Sequence, residues 1–167
     1  MSSWAELVAA LGAEEPEAVR PLLRRVAERE PERAGDAVDL VHRAAQDRCR
    51  AGRPGEARAL FELTVEFGGA VRAGWARIGL ASLAADEGDL PEAERLALAA
   101  TASGDPELTG VAWDHLRTLR LRRDDTAGAA AAARLAMDAG HPESAAAASA
   151  WLDAAFGGPS ASGGPAR

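Results

Sequence analysis

Apolar residues recur along this chain at the spacing of a helix face. Val19, Leu22, Leu23 and Val26 mark one stripe, and Leu60, Leu63 and Phe67 mark another. The pattern predicts a short first helix over residues 4–11, opened by a capping box of Ser3 and Glu6 and stopped by Gly12. A second helix is predicted over 16–30; Pro21 falls near its first turn, where a missing N–H matters little, or else bends it. A third covers 32–51, with Gly35-Asp36 as an alternative start, and Gly52-Arg53-Pro54-Gly55 breaks it. The fourth covers 56–67 and the fifth 71–87. The sixth covers 90–103, capped by Asp89 with Glu92 at the reciprocal position. The seventh covers 106–123, behind Asp105 as cap and Pro106 at the first helical position. The eighth and ninth are predicted over 126–139 and 142–156. Nothing suggests a strand: Ile78 is the only isoleucine, and no run of β-branched or aromatic residues occurs. The Gly/Pro/Ser-rich end, 157–167, has nothing to bury and is expected to be a disordered tail after a helical domain over 1–156.

The punctuation between these helices repeats. Gly52 and Gly88 stand 36 residues apart, as do Glu56 and Glu92, and Gly68, Gly104 and Gly140 follow the same step. The string GDPE at 104–107 returns as GHPE at 140–143. In an alanine-rich chain, alanine matches mean little. These matches fall on residues with a mechanical task, the glycines where a helix must stop and Pro106 and Pro142 where the next must start. A helix of about 15 residues is only ~22 Å long, and a hairpin of two such helices cannot bury its own apolar stripe. Stacking on similar neighbours solves that problem, so an all-α solenoid of stacked antiparallel helix pairs is expected. It would comprise about nine helices, as three to four pairs with a capping helix.

At these residues the chain resembles the tetratricopeptide repeat family, whose unit is a helix pair carrying Trp-x2-Leu-Gly-x2-Tyr on its first helix and Ala then Phe on its second. Trp75-x2-Ile78-Gly79 matches the first half of that pattern, and Trp113-x2-Leu116 matches it in part, with Arg117 in place of Gly. Gly88-Asp89-x2-Glu92-Ala93 matches the turn into the second helix; the segment Gly52 to Ala57 is a looser copy, and Ala57 with Phe61 gives the small-then-large pair. The tyrosine position reads Ser82 and Arg120, the period is 36 rather than about 34, and Trp75, Trp113 and Trp151 are spaced by 38. The resemblance covers 36–156 and is most specific over 71–107. It implies that the first helices line a concave groove that binds a peptide or a partner helix. Periodicity alone implies only the groove.

Composition narrows the partners. The net charge is −7, and every basic side chain is Arg, spread among a larger number of carboxylates. No basic face able to release counterions is expected, so a nucleic-acid partner is disfavoured. The lone Cys49 cannot form an internal disulfide and fits a reducing compartment. The start MSSWAELVAALGAEE lacks a basic leader and turns acidic at once, which does not read as a signal peptide, and no apolar run approaches a membrane span. Cytoplasmic localisation without a membrane partner is the expectation. Abundant Ala, Gly and Pro with no Lys, Asn or Tyr is the usage of a GC-rich, actinobacterial-like coding sequence.

Candidate chemistry is sparse. His42 and Cys49 are seven apart and can share a helix face, but two donors do not make a zinc site. His115 follows Asp114, yet adjacent helix residues point about 100° apart and do not orient one another. His141 falls in a turn and reads as solvated. The carboxylates at Asp86-Glu87-Gly88-Asp89 and Asp124-Asp125 could supply an acid and a base, but their place at turns favours capping. Arg117, Arg120, Arg122 and Arg123 could clamp a partner carboxylate; pairing with nearby acids at a helix end is the favoured alternative. The tryptophans could be interface anchors, and core packing is favoured. Without a nucleophile, a phosphate loop or a metal cluster, the chain reads as a non-enzyme with no catalytic residues, cofactor or metal. It is expected to be an adaptor or scaffold for another protein or peptide. The Gly spacing places Asp39, His42, Gln46 and Arg50 on the groove, and the Trp spacing places Asp114, Thr118 and Arg122 there. The alternative is a stand-alone regulatory repeat domain acting with a separate transcription-factor or kinase partner. Weak self-association through uncapped ends is a further expectation.

Overall fold

The computed structural model describes residues 2–13 and 16–157; beyond Gly157, the predicted tail lies outside the described residues. The described residues are all-helical, in the order α1 (Ser3–Gly12), α2 (Pro16–Arg29), α3 (Ala34–Arg50), α4 (Pro54–Phe67), α5 (Gly69–Asp86), α6 (Leu90–Ala100), α7 (Pro106–Leu121), α8 (Thr126–Asp138) and α9 (Pro142–Phe156). Several ends differ from the sequence expectation. The first helix is capped by Ser2, whose hydroxyl accepts from the Ala5 amide, because helical backbone already begins at Ser3. Pro31–Arg33 and Thr101–Ser103 form 3-10 turns that precede α3 and follow α6, so both α-helices are shorter than their apolar patterns. Pro21 lies inside α2, beyond its first turn, with its ring exposed. Asp89 caps α6 through the Glu92 amide as expected, but the Glu92 carboxylate turns to Arg95 instead of closing the box.

Left-handed residues punctuate the chain with the period of the sequence. Gly52, Gly88 and Asp124, at φ 70°, 86° and 58°, follow α3, α5 and α7 at steps of 36 residues. Gly104 and Gly140 do the same work between α6 and α7 and between α8 and α9, with Gly69 instead of Gly68 in the matching turn before α5. Asp124 is the only non-glycine with positive φ among the described residues. It carries a turn for which its two counterparts use glycine, the residue with no Cβ penalty there.

Consecutive helices pair: α1 with α2, α3 with α4, α5 with α6, and α7 with α8. Each odd helix also touches the next odd helix, through to α7 against α9. Two of these contacts are set by missing side chains. A Cβ on Gly74 of α5 would lie 2.4 Å from Leu108 Cδ2 of α7, and a Cβ on Gly110 of α7 would lie 2.7 Å from Ser144 of α9. Gly74 and Gly110 are one 36-residue step apart, and so are Leu108 and Ser144.

The core is small-residue packing around a few large anchors. Leu7, Val19, Val26, Val41, Leu108, Leu116 and Leu119 are fully buried, each contributing roughly 1.5–3 kcal/mol by burial. α8 presents Ala129, Ala132, Ala133 and Ala136 without exposure, which lets it approach α7 closely. Trp113 and Trp151 are half-buried against the Ala133–Ala136–Ala148 cluster, and Trp75 packs on Ala100, Leu108 and Ala112. Trp4 packs on the main core, with the Arg33 guanidinium 5.7 Å above its ring.

Because nothing lies within 4 Å of a Cβ built on Gly88, only its backbone angle resists substitution. Gly88→Ala should therefore cost about 1–2 kcal/mol. Asp124→Gly should be neutral or stabilise by up to about 1 kcal/mol, relief of strain being partly offset by unfolded-state entropy. Urea unfolding of both variants checks the pair.

Candidate functional site: a groove between the third and fifth helices

A groove of about 820 Å³ opens between α3 and α5, with the first half of α4 beneath it. Helical spacing brings His42, Gln46, Cys49 and Arg50 of α3 to one wall. Ile78, Gly79, Ser82, Leu83 and Asp86 of α5 form the other. The walls are the same column one period apart: His42 corresponds to Ile78, Gln46 to Ser82 and Arg50 to Asp86, each by 36 residues. Phe61 of α4 forms the floor. Its ring lies so close to α5 that a Cβ on Gly79 would sit 2.5 Å from Phe61 Cζ. His42 meets the same ring edge-on, with centroids 5.3 Å apart and planes at 62°. Trp75 lines one end.

Polar groups on the walls are mostly engaged locally. His42 Nε2 and Gln46 Nε2 are 3.2 Å apart. Ser82 donates to the Ile78 carbonyl at 3.1 Å. Arg50 donates to Asp47 at 2.6 Å, and Glu87 accepts from Arg58 at 2.7 Å. Burial pushes the His42 imidazole below its ordinary pKa, against an opposing pull from Asp39. Its Nδ1 is buried without a hydrogen-bond partner, as is His115 Nε2, which fits neutral rings. His115 is likewise pushed down by burial, with Asp114 opposing. Burial and the nearby Asp86 carboxylate raise the Cys49 thiol, so it is held as the protonated, unreactive form.

The residues predicted to line the groove divide. His42, Gln46 and Arg50 meet in it. Asp39 does not; its carboxylate accepts from Arg72 Nε and Nη2 at 2.6 and 3.0 Å, which holds it below the usual carboxylate range. Asp114, Thr118 and Arg122 of α7 continue the same column, two periods beyond His42, Gln46 and Arg50, but lie outside this groove. Asp114 is paired with Arg117 and lines a separate cavity of about 250 Å³ with Glu107, His141 and Glu143. Thr118 donates to the Asp114 carbonyl, and Arg122 crosses to the Ala85 carbonyl at 2.9 Å.

The Arg-rich end of α7 is internally committed. Arg117 sits 5.2 Å over the Trp151 ring. Arg120 bonds Glu94 and the Gly128 carbonyl, and Arg123 bonds Glu94 at 2.7 Å. The turn carboxylates also have structural tasks, Asp89 capping α6 and Asp125 capping α8. His141, read from sequence as solvated, is half-buried and caps α9 through the Ser144 amide. Among the described residues, no three His, Cys, Asp or Glu side chains are grouped to hold a metal ion, and no helix is long and apolar enough to cross a membrane.

Phe61, Gly79, Ser82 and Asp86 were not predicted as groove residues. A 36-residue offset from His42, Gln46 and Arg50 would have located Ser82 and Asp86. Phe61 and Gly79 depend on a contact between helices, which no single-chain spacing reveals. Compared with protein-family models, curated proteins and solved structures, the chain shows no significant match.

Both histidines bind protons less readily folded than unfolded, so the unfolded chain takes up the proton first as pH falls through 6.5. Stability should therefore fall from pH 7.5 to 5.5. The melting temperature of a His42→Gln, His115→Gln double variant at constant ionic strength should vary less over that range. An equal slope in the two proteins would remove the histidines as its cause.

Proposed function

We propose that the chain is a stack of helical hairpins of the tetratricopeptide type and acts without catalysis, as an adaptor that holds a peptide or partner helix in the α3–α5 groove. The observation that carries this reading is the pairing of the walls: one column of first-helix positions, repeated after 36 residues, faces itself across a ligand-sized cavity. The apolar floor of Phe61, Ile78 and Leu83 offers an anchor site, and the polar side chains are placed at its rim, the distribution seen in binding surfaces. Burial and the nearby Asp86 carboxylate favour the protonated thiol, which supports binding over covalent chemistry. Further support comes from the repeated left-handed turns and from the glycine contacts between successive odd helices. A reducing, intracellular setting belongs to the same proposal.

Selection of binders from a random 12-residue peptide library tests it. Ser82 is exposed on the groove wall, and Ser82→Trp would fill the groove without entering the core. Selected peptides should lose at least about tenfold in affinity for Ser82→Trp, the scale of one lost anchor. They should bind Leu98→Ser, on exposed α6, as they bind the unmodified protein. Peptides indifferent to Ser82→Trp, or an absence of enrichment, would contradict the groove assignment.

A further inference from the structure

Two junctions between successive odd helices, α1–α3 and α5–α7, are tied at the helix ends by arginine; among the described residues, the α3–α5 junction at the groove shows no such tie. Arg48, near the end of α3, donates to the Leu11 carbonyl at the end of α1 at 3.1 Å. Arg122, at the end of α7, donates to the Ala85 carbonyl at the end of α5 at 2.9 Å. In both places a guanidinium meets a helix C-terminus, where unsatisfied carbonyls and the helix dipole favour a cation.

The repeat shows what the same position holds between α3 and α5. Ala85 corresponds to Cys49, and Arg122 corresponds to Asp86, each one period of 36 earlier. The turns are built alike: Gly88 donates to the Ala85 carbonyl at 3.1 Å, and Gly52 donates to the Cys49 carbonyl at 3.0 Å. The cross-helix donor differs. Where α7 offers a guanidinium to α5, α5 offers a carboxylate to α3. Asp86 cannot donate to the Cys49 carbonyl, and its charge adds to that of the helix end. Cys49 and Asp86 both line the groove. Among the described residues, the one arginine on its lining, Arg50, is turned to Asp47.

We propose that this gap is a receptor for an arginine side chain of a partner protein, which bridges the Cys49 carbonyl and the Asp86 carboxylate as Arg122 bridges α7 to α5, while a neighbouring apolar side chain of the same partner segment occupies the Phe61–Ile78–Leu83 floor. The proposal rests on the groove reading above and supplies its selectivity. Arginine suits the place because its planar fork can donate to a carbonyl and a carboxylate together. The acidic net charge of −7 favours the approach of a basic segment.

The test uses N-acetyl-leucyl-arginine amide and its citrulline analogue, which keeps the shape and loses the charge. Amide chemical shifts of the full chain are followed as each is added. The arginine compound should produce saturable shifts centred on Cys49, Gly52, Ile78 and Asp86. Citrulline should bind at least about fivefold more weakly, and Asp86→Asn should remove most of that difference. Asp86→Arg should restore the bridge within the chain, raising the melting temperature and abolishing the arginine-dependent shifts. Equal binding of the two compounds at the groove would overturn the arginine receptor and leave the groove reading standing. Shifts from neither compound, or shifts only elsewhere on the chain, would count against both.

Discussion

Close approach between successive odd helices is the constraint on which the rest of the molecule depends. α5 and α7 meet where Gly74 leaves room for Leu108, and α7 and α9 meet where Gly110 leaves room for Ser144. Leu108 is fully buried in that contact. With so few aromatic residues, the chain cannot hold its helices apart with large side chains and fill the space between them. It brings backbones together and covers them with alanine, leucine and glycine. The same economy sets the turns, in which left-handed residues recur after α3, α5 and α7.

The α3–α5 junction departs from that regularity. The counterparts of Gly74 and Leu108 one period earlier are Val38 and Arg72, and Arg72 is drawn to Asp39. At the far end of the same junction, the arginine that ties α7 to α5 is replaced by Asp86. Bulk and charge thus both depart from the pattern at this junction. The large cavity opens there, with the buried Phe61 ring lining it against Gly79. In the proposed stack, the groove comes from a local failure of the repeat.

Much of this is legible in the sequence. Gly52, Gly88, Gly104 and Gly140 announced their turns, Asp89 and Asp105 their caps, and Pro142 the start of the last helix, because these are local backbone effects. Asp124 was not recognised as the third member of the Gly52–Gly88 series, since its side chain hides the backbone requirement. On α3, helical spacing sufficed to place His42, Gln46 and Arg50 on one wall. It failed for Asp39, whose fate is decided by Arg72 on another helix, and for Asp114, Thr118 and Arg122, which share the column but are engaged within α7 or with the end of α5. The tryptophan spacing of 38 did not reveal those contacts.

Double-mutant cycles at the two glycine contacts test the central claim, that α5 rests on α7 and α7 on α9 through the same repeated contact. Gly74→Ala and Leu108→Ala should be coupled, the second relieving the clash made by the first. Gly110→Ala and Ser144→Gly should be coupled in the same sense, each cycle by about 0.5–3 kcal/mol. The crossed pair Gly74→Ala and Ser144→Gly should be additive within about 0.5 kcal/mol. Additivity in both matched pairs would show that successive odd helices do not meet at these glycines, and the stacking account would fail.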